Sequence, residues 1–101
     1  MLNIDKKTED GTMFIALEGQ LDTDTAPRLE AAMLEELSEL QALEMDLAKL
    51  DYISSAGLRV LLRAKKIMGE RSFDVVNVTE PVMDILDVTG FSEILGLGQE
   101  E

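Results

Sequence analysis

The 101-residue chain contains no cysteine and no histidine, and each absence removes a class of chemistry. Without cysteine there is no disulfide framework, no thiolate nucleophile and no thiolate zinc site. Without histidine there is no Ser-His-Asp relay, no imidazole general base and no imidazole ligand for a transition metal. We therefore expect a protein that is not an enzyme and that holds no metal or other cofactor.

Positive charge is also scarce, since nine Lys and Arg residues face 21 Asp and Glu residues, which gives a net charge of −12. Nucleic acids and anionic membranes attract basic surfaces, so we expect neither a nucleic-acid partner nor membrane insertion. No apolar run approaches the ~20 residues of a membrane-spanning helix. The first residues lack the basic-then-apolar pattern of a signal peptide, and we expect a soluble, cytoplasmic protein.

Hydrophobic residues, in contrast, are plentiful enough for a core, at 46% of the chain. The length is near the modal size of one domain. The sequence shows no internal repeat, no low-complexity tract and no Pro/Gly/Ser-rich linker. We expect a single domain over residues 1–101, with its core at about residues 2–97.

The first segments are predicted to form a hairpin of two strands. Leu2 and Ile4 alternate with polar neighbours up to Thr8, and residues 13–17 form a short apolar run. Asp10 and Gly11 between them are a strong hairpin signal, because Gly tolerates the positive φ of a tight turn. Gly19 marks the expected end of the second strand.

A helix is predicted from Thr25 onward, where the apolar period changes. Apolar residues then recur at spacings of 3, 4, 4 and 3, which form one helix face: Ala26, Leu29, Met33, Leu37 and Leu40. Pro27 lies where a first-turn proline is tolerated. The opposite face carries four glutamates, which we interpret as a solvated surface: Glu30, Glu35, Glu36 and Glu39.

The alternating residues 43–47 predict a third strand, and residues 55–68 predict a second helix. The side chains expected to face inward from this helix are Leu58, Leu61, Leu62 and Met68. Its outer face holds three cations at i, i+4 and i+7, namely Arg59, Arg63 and Lys66.

Residues 73–78 predict a fourth strand, and Thr79 can cap a third helix that Gly90 ends. Residues 91–97 are expected to form a short terminal element before a frayed tail at 99–101. The order ββαβαβα predicts an α/β domain with a mixed four-stranded sheet and about three packed helices.

The acidic run of residues 22–25 admits two interpretations. Phosphatases of the haloacid-dehalogenase type place Asp-x-Asp after a strand, but they follow it with Thr or Val where this chain has Ala26. The chain is also too short for that fold and lacks a convincing downstream pair of lysine and acid. We therefore expect Asp22 and Thr25 to lie in a strand-to-helix loop and to cap the first helix.

Two consecutive serines, Ser54 and Ser55, stand where the third strand turns into the second helix. A helix N-terminus has unpaired N–H groups and a positive dipole end, so it can stabilise an anion. Capping requires one hydroxyl and leaves the second near the dipole, where it could accept a phosphate. From these residues alone, simple capping and phospho-acceptance both remain open.

Three short segments carry a family resemblance. Residues 17–22 are Leu-Glu-Gly-Gln-Leu-Asp, residues 51–58 are Asp-Tyr-Ile-Ser-Ser-Ala-Gly-Leu, and residues 86–91 are Leu-Asp-Val-Thr-Gly-Phe. In order, they resemble the Gly-Glu-Leu-Asp loop, the Asp-Ser-Ser/Thr-Gly-Leu motif and the Asp-x-Ser/Thr-Gly helix end of STAS domains, the sulfate-transporter and anti-sigma-factor-antagonist family. The matches span nearly the whole chain, which implies a STAS-like fold of the stand-alone regulatory branch.

The resemblance implies an anti-sigma factor antagonist. In that family the anti-sigma factor is a serine kinase that phosphorylates the serine after the motif aspartate, here Ser55. The chain departs from the pattern at Ser54, which replaces the aspartate, and at Ala56, which replaces Ser or Thr. The implied partners are this kinase and a resetting serine phosphatase, and the implied state is a monomer. The implied partner-binding surface comprises Asp22, Thr23, Asp24, Ser54, Ser55, Ala56, Gly57 and Arg59.

Two functions are compatible with these features. In the first, the unphosphorylated protein sequesters the anti-sigma kinase and frees a sigma factor, and phosphorylation at Ser55 inactivates it. In the second, the chain is a STAS scaffold subunit of a stress-signalling or transporter assembly without phospho-switching. The altered residues Ser54 and Ala56 favour the second function.

Overall fold

One mixed sheet forms the centre of the molecule, with its strands in the order β1-β2-β3-β4. The computed structural model describes residues 1–95. The strands are β1 Leu2–Glu9, β2 Thr12–Leu21, β3 Ala42–Ile53 and β4 Ser72–Val76. The helices are α1 Ala26–Met33, a 3-10 helix Leu34–Glu39, α2 Ser55–Met68, α3 Glu80–Thr89 and α4 Phe91–Ile94. The predicted α/β class, mixed sheet and element order are confirmed, and α4 lies in the predicted terminal element.

The strand directions place the loops after β2 and β3 at one edge of the sheet. β1 and β2 are antiparallel around Asp10 and Gly11, whose φ angles are 51° and 84°. β2, β3 and β4 are parallel, so their carboxyl ends share an edge. Parallel crossovers are right-handed, and α1 and α2 therefore cover the same face. The loops after β2 and β3 thus meet beside the start of α2.

The first helix has the predicted inner face but not the predicted length. Its five apolar residues are all buried, yet the α-helix ends at Met33 and the chain continues as the 3-10 helix. The tighter turn presents the carbonyls of Leu37 and Leu40 to the Arg71 guanidinium, at 2.9 Å and 2.6 Å. Arg71, which lies at least 31 residues further along the chain, thus donates hydrogen bonds to the carbonyls at this helix end.

Strand ends also differ from their predictions. β2 does not end at Gly19 but passes through it to Leu21. A Cβ on Gly19, at φ 111°, would lie 2.2 Å from the Met1 carbonyl oxygen, so the glycine admits the Met1 backbone. β3 extends beyond the predicted residues 43–47 at both ends, to Ala42 and Ile53. β4 ends at Val76 because the next residue takes a positive φ.

Helix α2 begins and ends where predicted, but its buried stripe is rotated. Leu62 is only half-buried, whereas Val60 and Ala64 are buried. Val60 lines a cleft toward α1, so the helix packs on a neighbouring helix as well as on the sheet.

The third helix ends at Gly90 as predicted, with a left-handed φ of 83°. Thr79 occupies its N-cap position but does not cap it, since its hydroxyl donates to the Leu50 carbonyl at 2.8 Å. Residues 96–97 of the predicted terminal element, and the predicted tail at 99–101, lie outside the described residues.

Candidate functional site

The two serines at the start of α2 have different tasks. Ser54 is the N-cap, with extended backbone angles, and its Oγ accepts from the Gly57 N–H at 3.5 Å. Ser55 is the first helical residue, and its side chain is exposed. Among residues 1–95 the Ser55 hydroxyl has no hydrogen-bond partner. The cap therefore leaves one hydroxyl available at the surface.

Hydrogen bonds from its own side chains hold the loop of residues 22–25. Asp22 Oδ1 accepts from the backbone N–H groups of Asp24 and Thr25, each at 3.0 Å. The Thr25 hydroxyl donates to the Gln20 carbonyl at 2.9 Å and accepts from the Asp22 N–H at 2.8 Å. Because that hydroxyl is occupied, Thr25 does not cap α1, and Asp22 binds N–H groups that precede the helix. The predicted capping of the first helix by these two side chains is wrong.

The same contacts keep Asp22 ionised. The Thr25 backbone N–H donates to the carboxylate and holds the pKa of Asp22 below its ordinary value, with the Thr25 hydroxyl and the Asp24 N–H adding to the effect against a smaller opposing desolvation. Hydrogen bonds to the charged form favour that form. Asp22 is therefore a fixed negative charge at this edge of the sheet.

Close packing joins this loop to the serines. The Ser54 N–H donates to the carbonyl of Leu21, the residue before Asp22, at 2.9 Å. A Cβ on Gly57 would lie 2.7 Å from Leu21 Cγ and 2.9 Å from Ile53 Cγ1. Only a glycine lets the first turn of α2 approach the ends of β2 and β3 so closely. Gly57 is buried, so its role is to permit this close packing, and it contributes nothing to the surface of the site.

A cleft of about 200 Å³ lies between α1 and α2 and is lined by Ala56, the residue after Ser55. It brings together Thr23, Ala56 and Arg59 of the predicted surface. Five further residues line the cleft and were not predicted as site residues: Ala26, Pro27, Glu30, Val60 and Arg63. Arg63 forms an ion pair with Glu30 across the cleft. The available signal was the opposite charge of the outer faces of two consecutive helices.

Charge divides the site into two halves. Helix α2 contains four cations, Arg59, Arg63, Lys65 and Lys66, and no carboxylate, in a chain of net charge −12. The facing loop contributes Asp22 and Asp24, which are half-buried and exposed respectively. Ser55, a neutral polar residue, is the first residue of α2 and lies where this helix meets that loop.

Residues 1–95 contain no group of three or more acidic or other metal-ligating side chains that could hold a metal ion. No helix among those residues is both long and apolar enough to cross a membrane.

Comparison with known families decides the classification. A family model described as "Mlab, STAS domain" matches residues 4–97. The chain belongs to the STAS domain family. BtrV of Bordetella bronchiseptica, provisionally named an anti-sigma factor antagonist, is 32% identical over 88 residues, which are 84% of this chain and 76% of BtrV. The STAS resemblance of the three sequence segments is thereby confirmed.

Solved structures agree with this STAS fold. An anti-sigma factor antagonist from Mycobacterium paratuberculosis has a TM-score of 0.85 at 25% identity, over 96% of this chain and 85% of that chain. The unphosphorylated form of the anti-sigma factor antagonist SpoIIAA has a TM-score of 0.81 at 14% identity, over 90% and 84% of the two chains. The phosphorylated form of SpoIIAA from Bacillus has a TM-score of 0.74 at 14% identity, over 90% and 86%. At 14% identity the likeness to SpoIIAA concerns the fold alone.

Proposed function

We propose that this STAS domain is an anti-sigma factor antagonist that binds an anti-sigma serine kinase and frees a sigma factor until Ser55 is phosphorylated. The proposal rests on the different structural roles of the two serines. Ser54 supplies the cap of α2, and the exposed Ser55 hydroxyl is left without a partner in the described chain. A kinase can therefore modify Ser55 without breaking a native hydrogen bond.

The relatives support the proposal that this chain is an anti-sigma factor antagonist. The antagonist from Mycobacterium paratuberculosis shares the fold over nearly the whole chain, and BtrV bears a provisional name of the same class. SpoIIAA, which has the same fold, has been solved in phosphorylated and unphosphorylated forms. A regulator that acts on transcription would work in the cytoplasm, with a serine phosphatase to remove the phosphate.

The departures from the family motif leave this mechanism workable. Ser54 stands where the resemblance expects an aspartate, and that position is the N-cap of α2. Ser and Asp are about equally good N-caps, so the helix start keeps its geometry. Ala56 is half-buried at the cleft and offers no competing hydroxyl. These departures are therefore weaker support for the scaffold function than the sequence suggested.

Phosphorylation would act through charge at the interface. A phosphoserine carries about −1.5 to −2 charges near neutral pH. It would be added where the start of α2 meets the loop that carries the fixed charge of Asp22, at a surface from which a docked partner must exclude water. Like charges brought together at a desolvated interface oppose binding. No change of fold is needed for the switch.

The modified residue can be identified directly. The chain is incubated with ATP and each serine kinase of the anti-sigma class from the same genome, and phosphopeptides are mapped. We expect label at Ser55, none in Ser55→Ala, and undiminished label in the control Ser54→Asn, which keeps a capping side chain but removes the hydroxyl. Label that survives in Ser55→Ala would contradict the proposal, and so would the absence of label with every kinase.

A further inference from the structure

Arg59 has an unusual position among the cations of α2. It lies four residues after Ser55 on the same helix, and both side chains are exposed. Arg63, one turn further, is paired with Glu30. Within residues 1–95, Arg59 makes no ion pair and no side-chain hydrogen bond. It lines the cleft beside Ala56, immediately next to Ser55.

We propose that Arg59 receives the phosphate on Ser55, so that phosphorylation both adds negative charge and withdraws the nearest cation from the partner-binding surface. This inference takes the modification of Ser55 from the proposed function and assigns what the phosphate contacts. Residues four apart on a helix are neighbours, and an anion that precedes its cation has the favourable orientation. A guanidinium offers two parallel N–H donors, which match phosphate oxygens.

The surroundings of Ser55 direct the phosphate toward Arg59. The Ser54 N–H bonds to the Leu21 carbonyl and so holds the start of α2 against the loop of Asp22, whose carboxylate is fixed by N–H donors of its own loop. On the helix side Glu30 is engaged with Arg63, so it does not compete for Arg59. Ser54 already caps α2 by accepting from the Gly57 N–H, so a phosphate at Ser55 is not needed as the cap. Repulsion from the loop and attraction from α2 therefore point in the same direction.

The pair can be detected without any partner protein. Phosphoserine is incorporated at position 55 by genetic encoding, and the second pKa of the phosphate, ordinarily about 6, is measured by ³¹P NMR titration. The variants are Arg59→Gln and the matched control Lys66→Gln. Each removes one positive charge from α2, but Lys66 lies 11 residues, about 16 Å along the helix, from Ser55.

We expect Arg59→Gln to raise the phosphate pKa by about 0.3 pH unit or more, as for the loss of one exposed ion pair. Lys66→Gln should raise it by less than about 0.1 unit, since that distance exceeds the Debye length at physiological salt. The helix dipole acts equally in all variants and cancels. Equal shifts in both variants, or no shift in Arg59→Gln while its thermal melt shows a folded protein, would overturn the pairing.

A binding measurement distinguishes this inference from the proposed function. Phosphorylation should weaken binding to the anti-sigma kinase by a smaller factor in Arg59→Gln than in the unsubstituted chain, because the variant has no arginine to withdraw. An equal factor in both proteins would count against the inference. If Arg59→Gln shifts the phosphate pKa but the chain binds no anti-sigma kinase, the proposed function is overturned while the pairing of Arg59 with the phosphate stands.

Discussion

Replacing Gly57 by Ala sets helix propensity against packing at the first turn of α2. In a helix, Ala is favoured over Gly by about 0.5–1 kcal/mol. The added Cβ would lie 2.7 Å from Leu21 Cγ and 2.9 Å from Ile53 Cγ1, which is inside van der Waals contact. Both neighbours are buried and cannot swing into solvent. Such overpacking costs about 1–3 kcal/mol, so the packing term dominates.

We therefore expect Gly57→Ala to lose about 1–2 kcal/mol of unfolding free energy, although propensity alone predicts a gain. In a domain of this size that corresponds to a fall in Tm of about 5–10 °C. Urea unfolding and thermal melts followed by circular dichroism measure both quantities. The control is Ala56→Gly in the same turn, which should lose about 0.5–1 kcal/mol through propensity.

A double mutant makes the test specific to the contact. Leu21→Ala costs about 2–5 kcal/mol by itself but removes the nearer of the two side chains that the new Cβ would meet. In that background Gly57→Ala should be less destabilising or should become stabilising, which gives a coupling energy between the sites. The reasoning is refuted if Gly57→Ala is as stable as the original chain, or if its effect is the same in both backgrounds.

Two further predictions concern Arg71 and Asp22. Arg71→Lys should lose about 2 kcal/mol or more in urea unfolding, because an ammonium cannot replace a guanidinium that donates to several backbone carbonyls: Leu37, Ser38, Leu40, Ile67 and Met68. A loss no larger than that of the exposed control Arg59→Lys would contradict this role. The pKa of Asp22 is lowered by folding, so the stability from its ionised form is present above the ordinary value of 3.8 and is lost as pH falls through the folded value. The Tm of the original chain should therefore exceed that of Asp22→Ala most at neutral pH, and the difference should narrow as the pH falls below 3.8; a difference that widens on acidification would disprove this.

The predictable parts of the fold are those that local sequence determines. α2 begins and ends as predicted because its serines and its apolar period are local signals. The change from α1 to the 3-10 helix was not predictable, since Arg71 holds that segment from a distant part of the chain. The course of β2 through Gly19 likewise depends on the Met1 backbone, which packs against it only in the folded sheet.

In the site, too, features set by neighbouring residues were predictable, and features set by distant residues were not. The adjacent serines and the family motif identified the start of α2 from sequence, and the structure assigns the cap to Ser54. Capping of α1 by Thr25 failed because the Gln20 carbonyl, five residues earlier, takes its hydroxyl. The ion pair of Glu30 with Arg63 depends on how two helices pack, and amphipathic patterns do not specify that register.

The most direct test of the proposed switch is isothermal titration of Ser55→Ala and Ser55→Asp against the anti-sigma kinase. Thermal melts of the two variants should nearly coincide, because Ser55 is exposed and an anion at a helix N-terminus contributes only about 0.3–1 kcal/mol. We expect Ser55→Ala to bind at least as tightly as the original chain. Ser55→Asp should lose about 2 kcal/mol, a ~30-fold weaker affinity, because it brings a charge beside Asp22 into a desolvated interface. Equal affinities of two equally folded variants would contradict a phosphorylation switch at Ser55.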